Sequence, residues 1–517
     1  MTVKVRIDKN AYHDSVTLMS LSNKISSKDG VEDAVVSMGT EMNIELLENI
    51  DLLTDEAKEA TENDLIIAIR ANNEETINES IELVDSELGG KKSGNKKSGD
   101  DKVQTMNAAL NNLANANMAI ISVPGEYAAR EARNSLKNGL NVMMFSDNVS
   151  IEDELELKKM GREKGLLVMG PDCGTAIINN NGLCFANAIS KGNIGLVAAS
   201  GTGLQEVTVQ IDRMGYGITQ AIGTGGRDLS EDIGGIMMLE SIDLLEADEN
   251  TKVITLISKP PAKSVQDKIV KKLETVTKPV VVCFLDGDAE AIESDNVVFS
   301  STLYDAAVQS IKQLDPDFEF DHSISSENLN WVKEEASKLA EGQKYIRALF
   351  GGGTLTSETL SVLRSKGEKV RSNVAKIASE KLEDLSQSVG HTLLDMGEDE
   401  FTQGRPHPMI EPSLRNDRII EEANDPETAV LLLDFETGFG AHEDPVGESI
   451  DTLIEAKEIA ESNGRYLPIV SYICGTNKDK QGYNAQKEQL EKIGAIVATS
   501  NSEAAEIAQL IISKEVH

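Results

Sequence analysis

Two stretches of the chain run an apolar strand directly into a glycine-and-hydroxyl turn that opens a helix. Residues 194–199 lead into Ser200-Gly201-Thr202-Gly203, and residues 346–350 lead into Gly351-Gly352-Gly353-Thr354. A helix start presents unpaired N–H groups and the positive end of the helix dipole, and glycine lets an anion approach them. Ser200, Gly201, Thr202 and Gly203, with Gly351, Gly352, Gly353 and Thr354, are therefore candidate phosphate-binding residues. They would offer backbone and hydroxyl hydrogens to phosphate oxygens. The same residue types also make plain helix caps and strand-to-helix turns. The repetition, with a hydroxyl in each copy, is what points to chemistry. A third glycine loop reads Gly223-Thr224-Gly225-Gly226-Arg227-Asp228. Gly225 and Gly226 leave room for a ligand. Arg227 could grip a phosphate or carboxylate through two parallel N–H bonds, or else pair with its neighbour Asp228.

Two histidines stand in unusual settings. His407 lies between prolines in Arg405-Pro406-His407-Pro408, so both flanking residues fix a non-helical backbone. A ring held this way suits a group that presents a nitrogen as acid, base or electrophile, and Arg405 suits a carboxylate. A rigid surface loop with an incidental histidine would read the same. His442, in Gly440-Ala441-His442-Glu443-Asp444-Pro445, is the second candidate. Its acidic neighbours could hold Mg²⁺ or could simply form a solvated loop. No spacing demands a metal. His13, His322, His391 and His517 carry no special context.

These groups need elements to position them, and 517 residues is too long for one core. About three or four domains are expected from that length. Residues 1–90 read as a small α+β domain and residues 91–105, rich in glycine, serine and charge, as a flexible linker. Strands at 118–123, 141–145 and 166–169 place one αβ domain at 106–191. Strands at 194–199, 252–257 and 280–285 place a second at 192–315. A connecting segment over 316–344 carries the one tryptophan, Trp331. A third αβ domain fills 345–517, with strands at 429–434, 467–473 and 495–499. Alternation of this kind specifies an α/β fold of several doubly wound parallel sheets, whose ligands lie beyond the carboxyl ends of the strands.

Composition excludes several classes of partner. A formal charge of −37 opposes nucleic acid and anionic lipid. The four cysteines, Cys173, Cys184, Cys283 and Cys474, show no Cys-x-x-Cys spacing, against a disulfide framework or structural zinc. No apolar secretory segment opens the chain and no run of about 18 apolar residues appears, so a cytoplasmic protein without a membrane span is expected.

Further strings resemble known enzymes. Val123-Pro124-Gly125-Glu126-Tyr127, then Gly139-Leu140-Asn141-Val142, then Met169-Gly170-Pro171-Asp172-Cys173-Gly174, then the turn at Ser200, resemble the succinyl-CoA synthetase alpha chain in the same order. Gly351-Gly352-Gly353-Thr354 and the residues from there to the end of the chain resemble the carboxy-terminal domain of that enzyme's beta chain. The fusion resembles the FdrA family over nearly the whole chain. Its marks are residues 347–355, Gly404-Arg405-Pro406-His407-Pro408-Met409-Ile410 and Gly438-Phe439-Gly440-Ala441-His442-Glu443-Asp444-Pro445. The resemblance implies a CoA-binding-type Rossmann domain at 106–191 and two flavodoxin-like CoA-ligase-type domains at 192–315 and 345–517. It also implies that the two helix starts hold phosphate.

The departures are equally informative. The glycine-rich turn expected ahead of Met118 for CoA is replaced by polar sequence, which argues against CoA as a cofactor. The synthetase's phosphorylated histidine would come after Lys278-Pro279-Val280-Val281, yet no histidine occurs before Ser300, and no segment is long enough for the nucleotide-binding half of the beta chain. What remains is a phosphate cradle. The resemblance implies a carbamoyltransferase subunit that joins oxamate and carbamoyl phosphate to give oxalurate and phosphate in ureide (allantoin) breakdown. Within that reading His407, Arg405 and His442 are the catalytic candidates. A small acyl phosphate and an acid are the substrates, and other protein subunits, or further copies of this chain, are the partners. An NDP-forming acyl-CoA synthetase and a non-catalytic scaffold with a residual phosphate site are the alternatives.

Overall fold

The computed structural model describes residues 2–11, 13, 15–26, 28, 30–50, 52–61, 63–89, 105–292, 294–320, 323–402 and 405–513. Apart from Thr105, the expected linker lies outside them, as do His322, His517 and Gly404. The chain divides into two compact units. The first comprises Met1–Lys102 and Asp399–His407, and the second Val103–Glu398 and Pro408–His517.

The first unit is built on an antiparallel sheet of β1 (Thr2–Asp8), β2 (Val31–Met38) and β3 (Leu65–Ala71), in the order β1-β3-β2. β3 reads Leu-Ile-Ile-Ala-Ile without a polar break because both of its faces are covered. Leu65, Ile67 and Ile69 pack with Leu18, Leu21 and Ile25 of the helix Ser15–Ser26 and with Ile77 and Val84 of the helix Glu74–Gly89. Ile66 and Ala68, on the opposite pleat, pack with Leu47, Leu52 and Ala57. This is a small α+β layered domain, as its sequence implies.

Among its described residues the second unit holds three sheets. β4 (Met118–Ile121), β5 (Asn141–Met144) and β6 (Val168–Met169) form a short parallel sheet in that order. A hairpin of β7 (Thr175–Ile178) and β8 (Asn181–Cys184) is hydrogen-bonded to the next sheet, made of β9 (Lys191–Ala198), β10 (Ile218–Gly223), β11 (Val253–Ser258), β12 (Val280–Phe284) and β13 (Val297–Phe299). The order is β13-β12-β11-β9-β10-β7-β8, parallel except at the hairpin. Residues 175–184, expected within the 106–191 domain, thus belong to the sheet of the following one. The third sheet, β14 (Tyr345–Phe350), β15 (Val370–Ser372), β16 (His391–Asp395), β17 (Thr428–Glu436), β18 (Ile469–Cys474) and β19 (Ile496–Ala498), is wholly parallel in the order β15-β16-β14-β17-β18-β19.

The two large sheets do not keep separate cores. Ile194, Val207 and Val332 share one continuous apolar cluster with Ile346, Leu355 and Tyr472. The helix Ser326–Lys338, in the expected connecting segment, seals it through Val332 and Ala336, with Trp331 packed alongside. Parallel strands covered on both faces need this much apolar surface, which explains the unbroken runs in β11, β12 and β17. Among the described residues no helix is long and apolar enough to cross a membrane.

Candidate functional site

β9 lies between β10 and β11, and β14 between β16 and β17, so each is the strand at which its sheet's winding reverses. A crevice opens at such a point beyond the carboxyl end. From these two strands spring the helices Gly201–Arg213 and Gly353–Ser365, and their first turns meet. Ser200 Oγ accepts the N–H of Gly203 at 2.9 Å and shares a short hydrogen bond with Thr354 Oγ1. The N–H of Thr354 donates to Thr202 Oγ1 at 3.2 Å. Glycine is needed at 203 because a Cβ there would lie 2.7 Å from Ser200 Oγ and 3.1 Å from Thr354 Cγ2.

The two starts differ in what claims their amides. The N–H groups of Gly351 and Gly352 donate to Asp434 Oδ1 and Oδ2 at 2.8 Å each, and Arg415 Nη1 holds the same carboxylate at 2.9 Å. An internal carboxylate therefore sits where an external anion was expected. The N–H groups of Gly201, Thr202 and Gly353 have no hydrogen-bond partner among the described residues. Three amides at the positive ends of two helices are therefore unpaired among the described residues.

Acid and base groups gather round the start of the Gly353–Ser365 helix. A Cβ on Gly353 would lie 2.3 Å from Asp395 Oδ2 and 3.5 Å from Lys259 Nζ. Burial pushes the Asp395 carboxyl up to about 8, against the opposing pull of Lys259, so it holds a proton near neutral pH. Glu436, beside Gly352, is raised well above the usual range by burial and then by the charge of Asp434. Its Oε1 is buried and has no hydrogen-bond partner among the described residues. Sequence reasoning missed Lys259, Asp395, Asp434 and Glu436. The available signal was their position at the carboxyl ends of β11, β16 and β17.

Deeper in each helix, six residues past Ser200 and Gly352, sit Glu206 and Glu358. Both are buried and both are raised, first by burial, Glu358 to about 8. Glu206 bonds Tyr472 and Gln210, while Glu358 accepts from Leu303 N and Asn501. These acids brace the two helices against the strands and helices around them.

The third glycine loop is packed against its neighbours. Gly225 adopts φ +87°, and a Cβ there would lie 2.3 Å from Pro171 O, while Gly226 is exposed. Arg227 does not pair with Asp228. Its Nη2 holds Glu154 at 3.0 Å and Val149 O at 2.7 Å. Asp228 is fully buried, accepting from Lys158 Nζ and from the amides of Met237 and Met238. His442 Nδ1 accepts the N–H of Asp444, and its backbone N–H donates to Met409 O. Glu443 pairs with Lys480, and Asp444 accepts from Gln486 and Gln489. Among the described residues no cluster of three or more histidine, cysteine or carboxylate groups is placed to hold a metal ion. Arg405 is exposed and His407 half-buried, and both belong to the first unit, whereas the helix starts belong to the second.

Known proteins resemble the chain along the same division. The chain is 46% identical over 523 aligned residues to the uncharacterized protein YahF of Escherichia coli (strain K12), covering 99% of both chains. The chain belongs to the YahF family. Residues 1–105 match the model of the AllF heavy metal-associated domain, 189–285 that of the CoA binding domain and 349–511 that of the CoA-ligase domain. The CoA-binding match falls on the strands β9 to β12 and meets 106–191 only at its last three residues. Residues 1–105 contain no cysteine and one histidine, His13, so no thiolate metal site exists there. Over 32% of its length the chain is 26% identical to the ADP-forming succinate–CoA ligase subunit alpha 2 of Archaeoglobus fulgidus, spanning 58% of that subunit. The dinucleotide-forming acetyl-coenzyme A synthetase 1 of Ca. Korarchaeum cryptofilum, solved with phosphate and ADP, aligns over 77% of this chain and 83% of its own at 16% identity and a TM-score of 0.28. The YahF-family chain thus carries CoA-binding and CoA-ligase domains of the succinyl-CoA synthetase kind behind a small amino-terminal domain.

Proposed function

We propose that this chain is a subunit of an FdrA-type carbamoyltransferase that exchanges a carbamoyl group between phosphate and oxamate. In the degradative direction a phosphate oxygen attacks the carbamoyl carbon of oxalurate. The bond from that carbon to the oxamate nitrogen breaks, and the departing nitrogen takes up a proton, leaving carbamoyl phosphate and oxamate. The reading rests on one observation, the meeting of two switch-point helices that leaves the N–H groups of Gly201, Thr202 and Gly353 unclaimed. Lys259, near Gly353, adds positive charge where phosphate would sit, and Asp395 carries a proton near neutral pH that a leaving nitrogen could take. Glu436 Oε1, an orphan acceptor, suits the N–H hydrogens of a carbamoyl or oxamate amide, which a succinyl group lacks. His407, Arg405 and His442 remain candidates for proton handling and carboxylate binding on sequence grounds.

A second reading, acyl-CoA synthesis, is favoured by the CoA-binding and CoA-ligase matches. It requires a phosphate carrier, and residues 286–299 offer no histidine for the synthetase route. The deciding experiment incubates the full chain with its partner subunits and compares phosphate-dependent cleavage of oxalurate with ATP- and CoA-dependent acyl activation. Cleavage without nucleotide supports the proposal; acyl-CoA formation without cleavage overturns it.

A further inference from the structure

We propose that Thr175 is a ligand of the phosphate held at the start of the Gly201–Arg213 helix, an inference that rests on the anion site of the proposed function. Thr175 opens β7 and is 2% exposed, yet its Oγ1 has no hydrogen-bond partner among the described residues. A buried hydroxyl without a partner is destabilising and needs an explanation. Its direction supplies one. Thr175 Oγ1 is the nearest atom to a Cβ built on Gly201, at 3.6 Å, followed by Gly174 Cα at 3.9 Å. The hydroxyl therefore faces the first turn of the helix, where the N–H groups of Gly201 and Thr202 are also unclaimed.

The other hydroxyl oxygens at this junction are engaged. Ser200 Oγ accepts from Gly203 and is bonded to Thr354 Oγ1, and Thr202 Oγ1 accepts from Thr354. Thr175 differs from them because it arrives on another strand. Its backbone is pinned in register with Cys184 in the hairpin, and a Cβ on Gly223 would lie 2.4 Å from its carbonyl oxygen. A hydroxyl held rigidly beside two free amides is a ready oxyanion ligand. The shared chemistry is an anionic oxygen, supplied either by phosphate or by the carboxylate of an acid such as oxamate, and we assign phosphate.

The test measures binding of inorganic phosphate and, separately, of oxamate to the full chain by calorimetry. Thr175→Val keeps the shape of the side chain and removes the hydroxyl, and Thr175→Ser restores it. Phosphate affinity should fall about tenfold in the valine variant and return in the serine variant, the scale of one charge-assisted hydrogen bond. The melting temperature of Thr175→Val should equal or exceed that of the parent, because an unpaired buried polar group has gone. Equal phosphate affinity in parent and valine variant overturns the assignment while leaving the anion site intact. Loss of oxamate binding alone overturns it in favour of a carboxylate ligand. A parent protein that binds no phosphate overturns both the assignment and the site on which it rests.

Discussion

Replacing Glu358 by glutamine measures how the junction between the two large sheets responds to pH. Glu358 is 1% exposed. Its Oε1 accepts the N–H of Leu303 at 2.6 Å and its Oε2 the side-chain amide of Asn501 at 2.7 Å. Burial, and then the charge of Glu206, lifts its pKa from 4.5 to about 8, although those hydrogen bonds pull it down. Below pH 4.5 both folded and unfolded chains hold the proton. Between 4.5 and 8 the unfolded chain has released it and the folded chain keeps it, so stability is lost progressively as pH rises and levels off above the folded value. A shift of this size, at about 1.4 kcal/mol per pH unit, sets a ceiling of roughly 5 kcal/mol on the loss. Coupling to Glu206, itself raised, spreads that total over both acids.

Glu358→Gln keeps the volume and the acceptor for Leu303 but turns an NH₂ towards Asn501, a mismatch of about 1–3 kcal/mol. The variant is therefore the less stable at pH 5, and the gap should close or invert by pH 8.5. Guanidinium midpoints across that range, with hydrogen exchange of residues 353–365 to localise the effect in a chain too large for two-state unfolding, provide the assay. A difference between parent and variant that stays constant with pH would refute the burial argument.

His407→Ala should lower turnover by about 10² to 10⁴ with the fold intact if the ring handles a proton. Partial recovery in His407→Gln would instead mark a hydrogen-bond donor, and full activity in both variants would move the assignment to His442. Arg405→Lys should chiefly raise the KM for oxamate, since a point charge replaces a fork; an unchanged KM would exclude carboxylate binding there. Gly353→Ala should weaken phosphate binding by at least tenfold and lower the melting temperature, because its Cβ would meet Asp395 Oδ2 at 2.3 Å and crowd one of the three free amides. Parent-like binding calorimetry and melting would show that the junction yields.

Local features were legible in the sequence, and partners from distant strands were not. Apolar runs bounded by turns gave β9 and β14, and the glycine–hydroxyl turns placed the two helix starts within a residue or two. Of the two readings of Arg227, the pairing with Asp228 is not formed, because Lys158 and two backbone amides occupy Asp228 and the arginine reaches Glu154 in the helix Ile151–Lys164. The hairpin 175–184 looked like the end of the earlier domain because its contacts lie in β10, some forty residues on. No periodicity encodes that pairing. Thr175 and Asp434 escaped for the same reason, each reaching a helix start from a strand far away in sequence.

The sequence treats the two glycine turns as equivalents, but the structure makes them unequal in what occupies their amides. Asp434 sits in the amides of Gly351 and Gly352 as phosphate was expected to, with Arg415 neutralising it from behind. A second anion cannot share those N–H groups without repulsion from the carboxylate. The Gly353–Ser365 helix is thereby tied from within, and the N–H of Gly353 is left without a partner among the described residues. The amides of Gly201 and Thr202 have no partner among the described residues, and the orphan hydroxyl of Thr175 lies 3.6 Å from where a Cβ on Gly201 would stand. Within the proposed function, the Gly201 start would be the one to receive the anion, while Lys259, Asp395 and Glu436 lie beside the other. In a chain of net charge −37, unpaired amides at a junction beside one lysine are the feature that would let a small anion bind against the overall field.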